Sequence, residues 1–460
     1  MKTILSAKKL CVTAVVFLVL QLAAVRAEVK GKPNILFIIT DQQRFDTISA
    51  NVNNFGVKTP NLDALVARGV LFENAFCTSP ICCPSRATLM TGLYPSKAGV
   101  PSNLAAPLNE RVLTIAHRLQ TIGYRTAYHG KSHLKGDLHH YGFEVAYENN
   151  HDLSTRIEAS RFFRELDVDK DKRPFFNVVS FLDPHDIYFL DPDTTDKVTL
   201  PPWKNGKDTL ENKPWPQTGK GLWEWNEERW QYYRRYYGER LVRVDREIGE
   251  LMEEFRSTGL TENTWIVFTA DHGDMGGEHG LPFKGPFMYE GVTHVPLLIV
   301  PPRVRTVSRT MEPDKKVFPF KSPVLTSSID IVPTFMDIAG LAPDPGLPGK
   351  SLLPVVRREA FKEADAIFAE WHGQGNIVTP IRSIRTARWK YNLYLNIGEE
   401  LYDLKNDPDE LKNLAGDPAS QEMRKELRQR LEEHLKREGD PFFSLKTSER
   451  APSSTPPAKP

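Results

Sequence analysis

The chain has 460 residues, 40% hydrophobic and 26% charged, the balance of an ordinary globular protein with room for one large domain and a smaller one. Its 60 basic and 59 acidic residues give a formal charge of +1, without the basic excess that a nucleic-acid-binding face requires. Residues 1–27 read as a signal peptide. Lys8 and Lys9 make a basic start, Cys11 to Val25 an apolar run, and Val25-Arg26-Ala27 a small-residue cleavage site. That run is short for a bilayer-spanning anchor, and no later stretch is long and apolar enough to cross a membrane. The expectation is a secreted or periplasmic protein with no membrane span after cleavage. The remaining chain carries 56 basic against 59 acidic residues and three cysteines, Cys77, Cys82 and Cys83. An odd number packed into seven residues is not a disulfide framework.

Three segments share one design, an apolar run ending in polar, chemically capable residues. Asn34 to Thr40 leads into Asp41-Gln42, Phe175 to Leu182 into Asp183-Pro184-His185, and Thr264 to Ala270 into Asp271-His272-Gly273-Asp274. Continuous apolar runs bounded by turn signals predict strands buried on both faces, as in a parallel sheet covered by helices. Ligands then sit beyond the carboxyl ends of such strands, where these Asp and His residues fall. Val295 to Val300 reads as another buried strand.

Between these runs, Thr59-Pro60 is a cap and first-turn pair for a helix through Arg68. Trp223 to Arg256 has apolar positions at helical spacing. Ala366–Glu370, Ile381–Thr386 and Trp389–Tyr394 predict short strands, and a charged helix follows from about Ser420 to Arg437. The predicted fold class is therefore α/β, a large mostly parallel sheet flanked by helices, with a smaller C-terminal α+β subdomain built on an antiparallel sheet. The predicted limits are 28–355 for the first domain and 356–445 for the second, with residues 446–460 a Pro/Ser-rich disordered tail.

The segment Cys82-Cys83-Pro84-Ser85-Arg86-Ala87-Thr88-Leu89-Met90-Thr91-Gly92 carries the densest chemistry. Pro84 suits the first turn of a helix ending near Gly92. Cys82 then sits just before a helix N-terminus, where free amides and the dipole favour anions, with the planar Arg86 one turn on. The bland alternative is two buried cysteines before an ordinary helix. Lys131 and His133, two apart, would face the same way on a strand, one reaching an anion and one handling a proton. Five of the eight tryptophans lie between Trp203 and Trp230, to be read as core or loop anchors more than as a sugar platform.

The Cys82–Gly92 segment resembles the type I sulfatase signature C-x-P-S-R-x-x-x-x-T-G, of the formylglycine-dependent sulfatases in the alkaline phosphatase superfamily. The resemblance extends over nearly the whole mature chain. It includes Pro33-Asn34-Ile35-Leu36 through Asp41, Thr59-Pro60-Asn61-Leu62-Asp63, Gly130-Lys131-Ser132-His133, Asp183-Pro184-His185, Asp271-His272-Gly273, Lys284 and Glu400-Leu401-Tyr402-Asp403-Leu404. It implies that Cys82 becomes formylglycine (3-oxoalanine) through a formylglycine-generating maturase. It further implies a calcium ion, ahead of magnesium or manganese, held by Asp41, Gln42, residue 82, Asp271 and His272. The oxygen-rich donor set points independently to a hard cation.

The implied reaction is hydrolysis of a sulfate ester. Hydrated formylglycine attacks sulfur, Arg86, Lys131 and Lys284 stabilise the sulfuryl oxygens, and His185 with Lys284 protonates the leaving alcohol. His133 then takes the proton whose loss lets the sulfated diol release sulfate, and Asn103 contacts the substrate. Export points to a sulfated carbohydrate as partner. The chain departs from the commoner family pattern in having Asp41-Gln42 and Asp271-His272 where many sulfatases carry Asp-Asp and Asp-Asn. That leaves a phosphodiester or phosphonate monoester hydrolase as the alternative enzyme. A secreted, non-catalytic glycan-binding protein is the alternative if Cys82 is not matured.

Overall fold

The computed structural model describes residues 31–51, 55–105, 107–109, 111–168, 171–185, 212–214, 225–302, 319–374 and 379–446. The predicted signal peptide at 1–27 and the predicted tail beyond 446 lie outside the described residues. Twelve strands occur among them. Eight, in the order β4-β3-β5-β1-β6-β7-β2-β8, form the main sheet. They are β1 (Asn34–Asp41), β2 (Val70–Phe76), β3 (Arg125–Gly130), β4 (Val145–Glu148), β5 (Phe175–Pro184), β6 (Thr264–Ala270), β7 (Leu297–Val300) and β8 (Phe320–Ser327).

The three apolar runs singled out in the sequence are β1, β5 and β6, and they are neighbours at the sheet's centre. β1 pairs in parallel with both partners, Ile38 lying opposite Val179 on one side and Phe268 on the other. Their carboxyl ends therefore fall side by side, which brings Asp41, Asp183 and Asp271 to one edge. The predicted strand near Val295–Val300 exists and is buried, but β7 runs antiparallel to both β6 and β2, the one reversal in the sheet.

Both faces of the sheet are covered, which is why β1 is buried at all eight positions. Ile35, Phe37 and Ile39 pack beneath three helices, α2 (Cys82–Thr91), α3 (Ile115–Gln120) and α6 (Ile331–Ala339), through Ala87, Leu119 and Phe335. Leu36 and Ile38 face the other way, onto α1 (Pro60–Val66), α4 (Asp152–Val168) and the long α5 (Glu227–Ser257), through Leu62, Phe163 and Ile248. Fully burying each such side chain stabilises by about 1.5–3 kcal/mol. Thr59 does precede α1 but makes no side-chain cap. Its hydroxyl accepts the Ser49 amide instead, at 2.8 Å.

The remaining strands form an antiparallel sheet in the order β12-β11-β10-β9, from β9 (Ile367–Trp371), β10 (Ile381–Arg385), β11 (Trp389–Tyr394) and β12 (Gly398–Asp403). Helix α7 (Gln421–Glu438) lays Leu427, Leu431 and Leu435, at i, i+4, i+8, over Ile384 and Tyr391. The smaller sheet is tied to the larger one at Lys390, whose ammonium, almost fully buried, bonds Glu290, Glu410 and the Met288 carbonyl. Trp225 and Trp230 pack with Tyr233 and Phe283, the core reading; Trp203, Trp215 and Trp223 fall outside the described residues.

Three histidines are buried neutral, and this gives the fold a pH dependence. His129 bonds Asn177, and burial lowers its pKa to about 4. His294, stacked between Phe45 and Phe76, is also lowered to about 4, again mainly by burial. His434 lies flat against Phe368 and is lowered to about 3, by burial and by Arg437. A histidine whose folded pKa is depressed contributes stability above its unfolded value, near 6.5, and that contribution is lost as pH falls toward the folded value. At pH 5 each costs about 2 kcal/mol relative to pH 7. The thermal midpoint should fall markedly between pH 7 and pH 5, and His129→Gln should shrink that difference. An unchanged pH 7 to pH 5 difference in the variant would exclude His129 as a source.

Candidate active site

Helix α2 presents Cys82 as its first residue, after Ile81 in extended conformation, and Gly92 in the left-handed region (φ 72°) ends it. Ile81 offers no side-chain cap. Asn103 supplies one from outside the helix, its Oδ1 accepting the Cys83 amide at 2.9 Å. The oxygen that the sequence assigned to substrate thus holds the N-terminus of α2.

Around Cys82 the two central strand ends converge. Oxygen, nitrogen and sulfur atoms of Asp41, Asp271, His272 and Cys82 all lie within 4.8 Å of one another, and all four residues are buried. His272 Nε2 is 3.2 Å from the Cys82 sulfur, while its Nδ1 faces the Gly273 carbonyl at 2.9 Å. With the proton on Nδ1, Nε2 turns a lone pair into the cluster. Burial weakens this imidazole's hold on a proton, but Asp271 and Cys82 together more than restore it, and the same attraction serves any cation at Nε2. Gln42 adopts the left-handed conformation (φ 66°), which folds its side chain back beside the strand end. Its Nε2 donates to Asp274 at 2.6 Å, leaving Oε1 turned toward the cluster, where Lys284 Nζ lies 2.5 Å away. Two carboxylates, an amide oxygen, an imidazole nitrogen and residue 82 suit a hard divalent cation.

Three cationic groups, Arg86, Lys131 and Lys284, surround these donors. Arg86 is buried and makes four hydrogen bonds, to Asp271 Oδ2 (2.8 Å), Asp41 Oδ2 (3.0 Å), the Lys131 carbonyl (2.6 Å) and Ser180 Oγ (2.8 Å). Its fork thus grips the carboxylates and the β3–β5 ends, whereas the sequence reading aimed it at the anion beside Cys82. Lys131 Nζ is 2.7 Å from Asp41 Oδ2, and Lys284 Nζ is 3.2 Å from the Cys82 sulfur. Burial works against an ionised Asp41, yet Lys131, His185, Arg86 and Lys284 hold its carboxyl well below the usual range. Burial and Asp41 push the Cys82 thiol up, but Lys284, Lys131 and His272 outweigh them and hold it well below the usual thiol range. Negative charge at residue 82 is therefore favoured.

Lys131 and His133 do not share a strand as predicted. β3 stops at Gly130 (φ 97°), where a Cβ would come within 2.0 Å of the Ser180 carbonyl, and His133 sits in the left-handed region (φ 53°). The chain bends away, and loop geometry brings the pair to the site. Both line a cleft of about 870 Å³ together with His185, which follows β5, and with Arg240 and Arg243 from α5. The buried His133 Nδ1 has no hydrogen-bond partner among the described residues. Burial and Lys284 lower the hold of His185 on a proton.

Several supporting residues had no role in the sequence reading. Asp274 orients the Gln42 amide and is itself bonded by the Tyr233 hydroxyl, while Tyr237 donates to the Gln42 carbonyl. Ser85 bonds the Asp271 carbonyl at 2.5 Å. Tyr233 and Tyr237 are four apart on α5, so their shared face was legible but their target was not.

Comparison with known proteins fixes the family. The Sulfatase family model matches residues 33–341, and that of the N-sulphoglucosamine sulphohydrolase C-terminal region matches residues 277–437. The chain belongs to the sulfatase family. It is a sulfatase of the alkaline phosphatase superfamily, a hydrolase of sulfate esters.

This sulfatase is 29% identical to the Delta 4,5-hexuronate-2-O-sulfatase of Bacteroides thetaiotaomicron, over 93% of the chain and 94% of that relative. It is 30% identical to the choline-sulfatase of Rhizobium meliloti, over 84% and 83%. The structure of a 2-O GAG sulfatase superposes with a TM-score of 0.77 at 28% identity, covering 92% of this chain and 97% of the other. A phosphonate monoester hydrolase of Agrobacterium radiobacter superposes at 0.74 with 25% identity, covering 90% and 97%. No helix among the described residues is long and apolar enough to cross a membrane.

Proposed function

We propose that this sulfatase releases sulfate from a sulfated carbohydrate, with residue 82 matured by a formylglycine-generating enzyme and calcium held by Asp41, Gln42, residue 82, Asp271 and His272. The observation that carries the reading is the convergence of Asp41, Asp271, His272 and Cys82, with Lys131, which lines the cleft, and Lys284 against them. The relative that acts as a hexuronate 2-O-sulfatase over almost its whole length supports a glycan substrate. The leader at 1–27 directs export, residues 28–355 carry the site, and residues 356–445 form the second domain.

When present, formylglycine supplies a hydroxyl nucleophile and the cation supplies Lewis acidity toward a sulfate oxygen. The chain's own groups do the rest. Lys131 and Lys284 place ammonium charge where the sulfuryl oxygens gain charge, in a buried site that needs no reorganisation. Arg86 keeps Asp41 and Asp271 aimed at one point. His185, with Lys284, delivers a proton to the leaving oxygen. His133, with Nδ1 unpartnered at the cleft wall, takes a proton in the half-reaction that releases sulfate.

His133→Ala should therefore slow sulfate release more than alcohol release. Rapid mixing with an aryl sulfate should show a burst of phenol about equal to the enzyme present, followed by slow turnover. Linear phenol release without a burst would remove His133 from the release step. The overall reading is tested by offering one matured, calcium-loaded sample an aryl sulfate monoester and an aryl phosphate diester. A strong preference for the sulfate is expected. A preference for the diester would mean that Gln42 and His272 mark a phosphodiester hydrolase.

A further inference from the structure

The cleft is much larger than a sulfate ester needs. Its volume of about 870 Å³ falls in the upper part of the range for ligands of several rings, roughly 300–1,000 Å³. Both signs of charge line it, and each carboxylate other than Asp183 has a partner besides the cleft's two arginines, although Asp152 also feels the charge of Arg243. Asp152 accepts the amides of Leu182 (2.6 Å) and Asp183 (3.0 Å). Glu247 pairs with Arg156 Nε at 2.8 Å, and Glu148 bonds the Ser132 hydroxyl.

Asp183 faces two guanidinium groups, Arg240 at 3.4 Å and Arg243 at 3.8 Å, three residues apart on one face of α5. Arg240 is almost covered, with 11% of its side chain exposed, and also bonds Tyr236. Arg243 remains 56% exposed, at the outer limit of an ion pair, and lines the cleft together with His185 and Lys131.

We infer that Arg243, backed by Arg240, binds a second anionic group of the substrate, a carboxylate or a further sulfate on the sugar that carries the scissile ester or on its neighbour. The inference rests on the sulfated-carbohydrate reading and narrows it to polyanionic glycans. A planar fork on an exposed stem suits either anion, because carboxylate and sulfate oxygens both accept its paired N–H groups. Asp183 keeps the Arg243 Nε end near the cleft wall while the rest of the fork stays open to ligand.

The test compares three monosaccharide or disaccharide sulfates in the parent and in Arg243→Ala: one with no other charge, one with a carboxylate, and one with a second sulfate. The parent should favour at least one dianionic substrate. The ratio of kcat/KM for that substrate over the monoanionic one should fall about 10–100-fold in Arg243→Ala, the worth of a hydrogen bond between charged groups. Arg243→Lys should recover part of it, and added salt should erode it. Whichever dianion loses its advantage identifies the second group. A ratio that stays within about twofold in Arg243→Ala overturns the inference. Affinities of the same sugars for Cys82→Ala and for Cys82→Ala/Arg243→Ala give the ratio without turnover. Absence of turnover in the parent would thus count against the proposed reaction, while the affinity ratio would still decide the role of Arg243.

Discussion

Replacing Cys82 with alanine is expected to abolish sulfate ester turnover, by roughly 10⁵-fold or more, in a protein that remains folded. The size of the effect follows from position. Among the described residues Cys82 is the nucleophile that lies in the field of both lysines and against the Asp41, Asp271 and His272 donors, so no neighbour can take over bond formation to sulfur. The fold should tolerate the change, because the lost sulfur contacts polar groups and leaves the apolar core intact. The adjacent thiol provides the contrast. Cys83 belongs to the core cluster under the sheet, and burial raises its pKa to about 11, so Cys83→Ala should cost about 1 kcal/mol of packing and little chemistry. Turnover and thermal midpoints of the two variants decide the matter. Peptide mass analysis of active protein should show residue 82 with sulfur replaced by oxygen and two hydrogens lost, and residue 83 unchanged. Full activity in Cys82→Ala would end the formylglycine reading.

The strand runs ending at Asp41, Asp183 and Asp271 were legible because burial on both faces imposes an unbroken apolar code, and that code also marks where it stops. The signature from Cys82 to Gly92 was legible because its turn residues and its helix agree. What could not be read was anything set by distant segments. β8 and β4 lack long apolar runs, with several exposed or half-buried positions, so pattern alone did not raise them. The reversed direction of β7 depends on pairing with β2, more than 200 residues earlier. Lys131 and His133 reach the cleft through a left-handed loop, where alternation has no meaning. Asn103 was read as a substrate contact, and its bond to the Cys83 amide becomes visible only once α2 is found to lack a cap of its own. Asp274 likewise acquires a purpose only when the Gln42 amide is seen between it and Lys284.

Arg86→Met is expected to destabilise the protein by about 3–5 kcal/mol as well as to remove activity, the cost of breaking a buried ion pair on one side. Were Arg86 an anion-binding residue facing the cleft, its loss would weaken substrate binding and leave the fold alone. The geometry predicts otherwise. Its guanidinium is buried between Asp41 and Asp271, both fully inaccessible, and its remaining bonds join the Lys131 carbonyl to Ser180 on β5. Without it, Asp41 retains Lys131 and Asp271 retains two backbone amides, but the two carboxylates repel each other with no charge between them. Methionine fills similar volume, so packing loss is a minor part of the effect. Arg86→Lys should recover little, since a single ammonium cannot span two carboxylates, a carbonyl and a hydroxyl. Added calcium should restore part of the lost stability in Arg86→Met, because a divalent cation at the strand ends does for the carboxylates what the guanidinium did. Urea unfolding with and without calcium measures both effects. An unaltered midpoint in an inactive Arg86→Met would reassign the residue to the substrate. A lowered midpoint that calcium raises would show that the strand ends β1 and β6 are held together by charge, and that the catalytic geometry and the stability of the sheet's centre are one property.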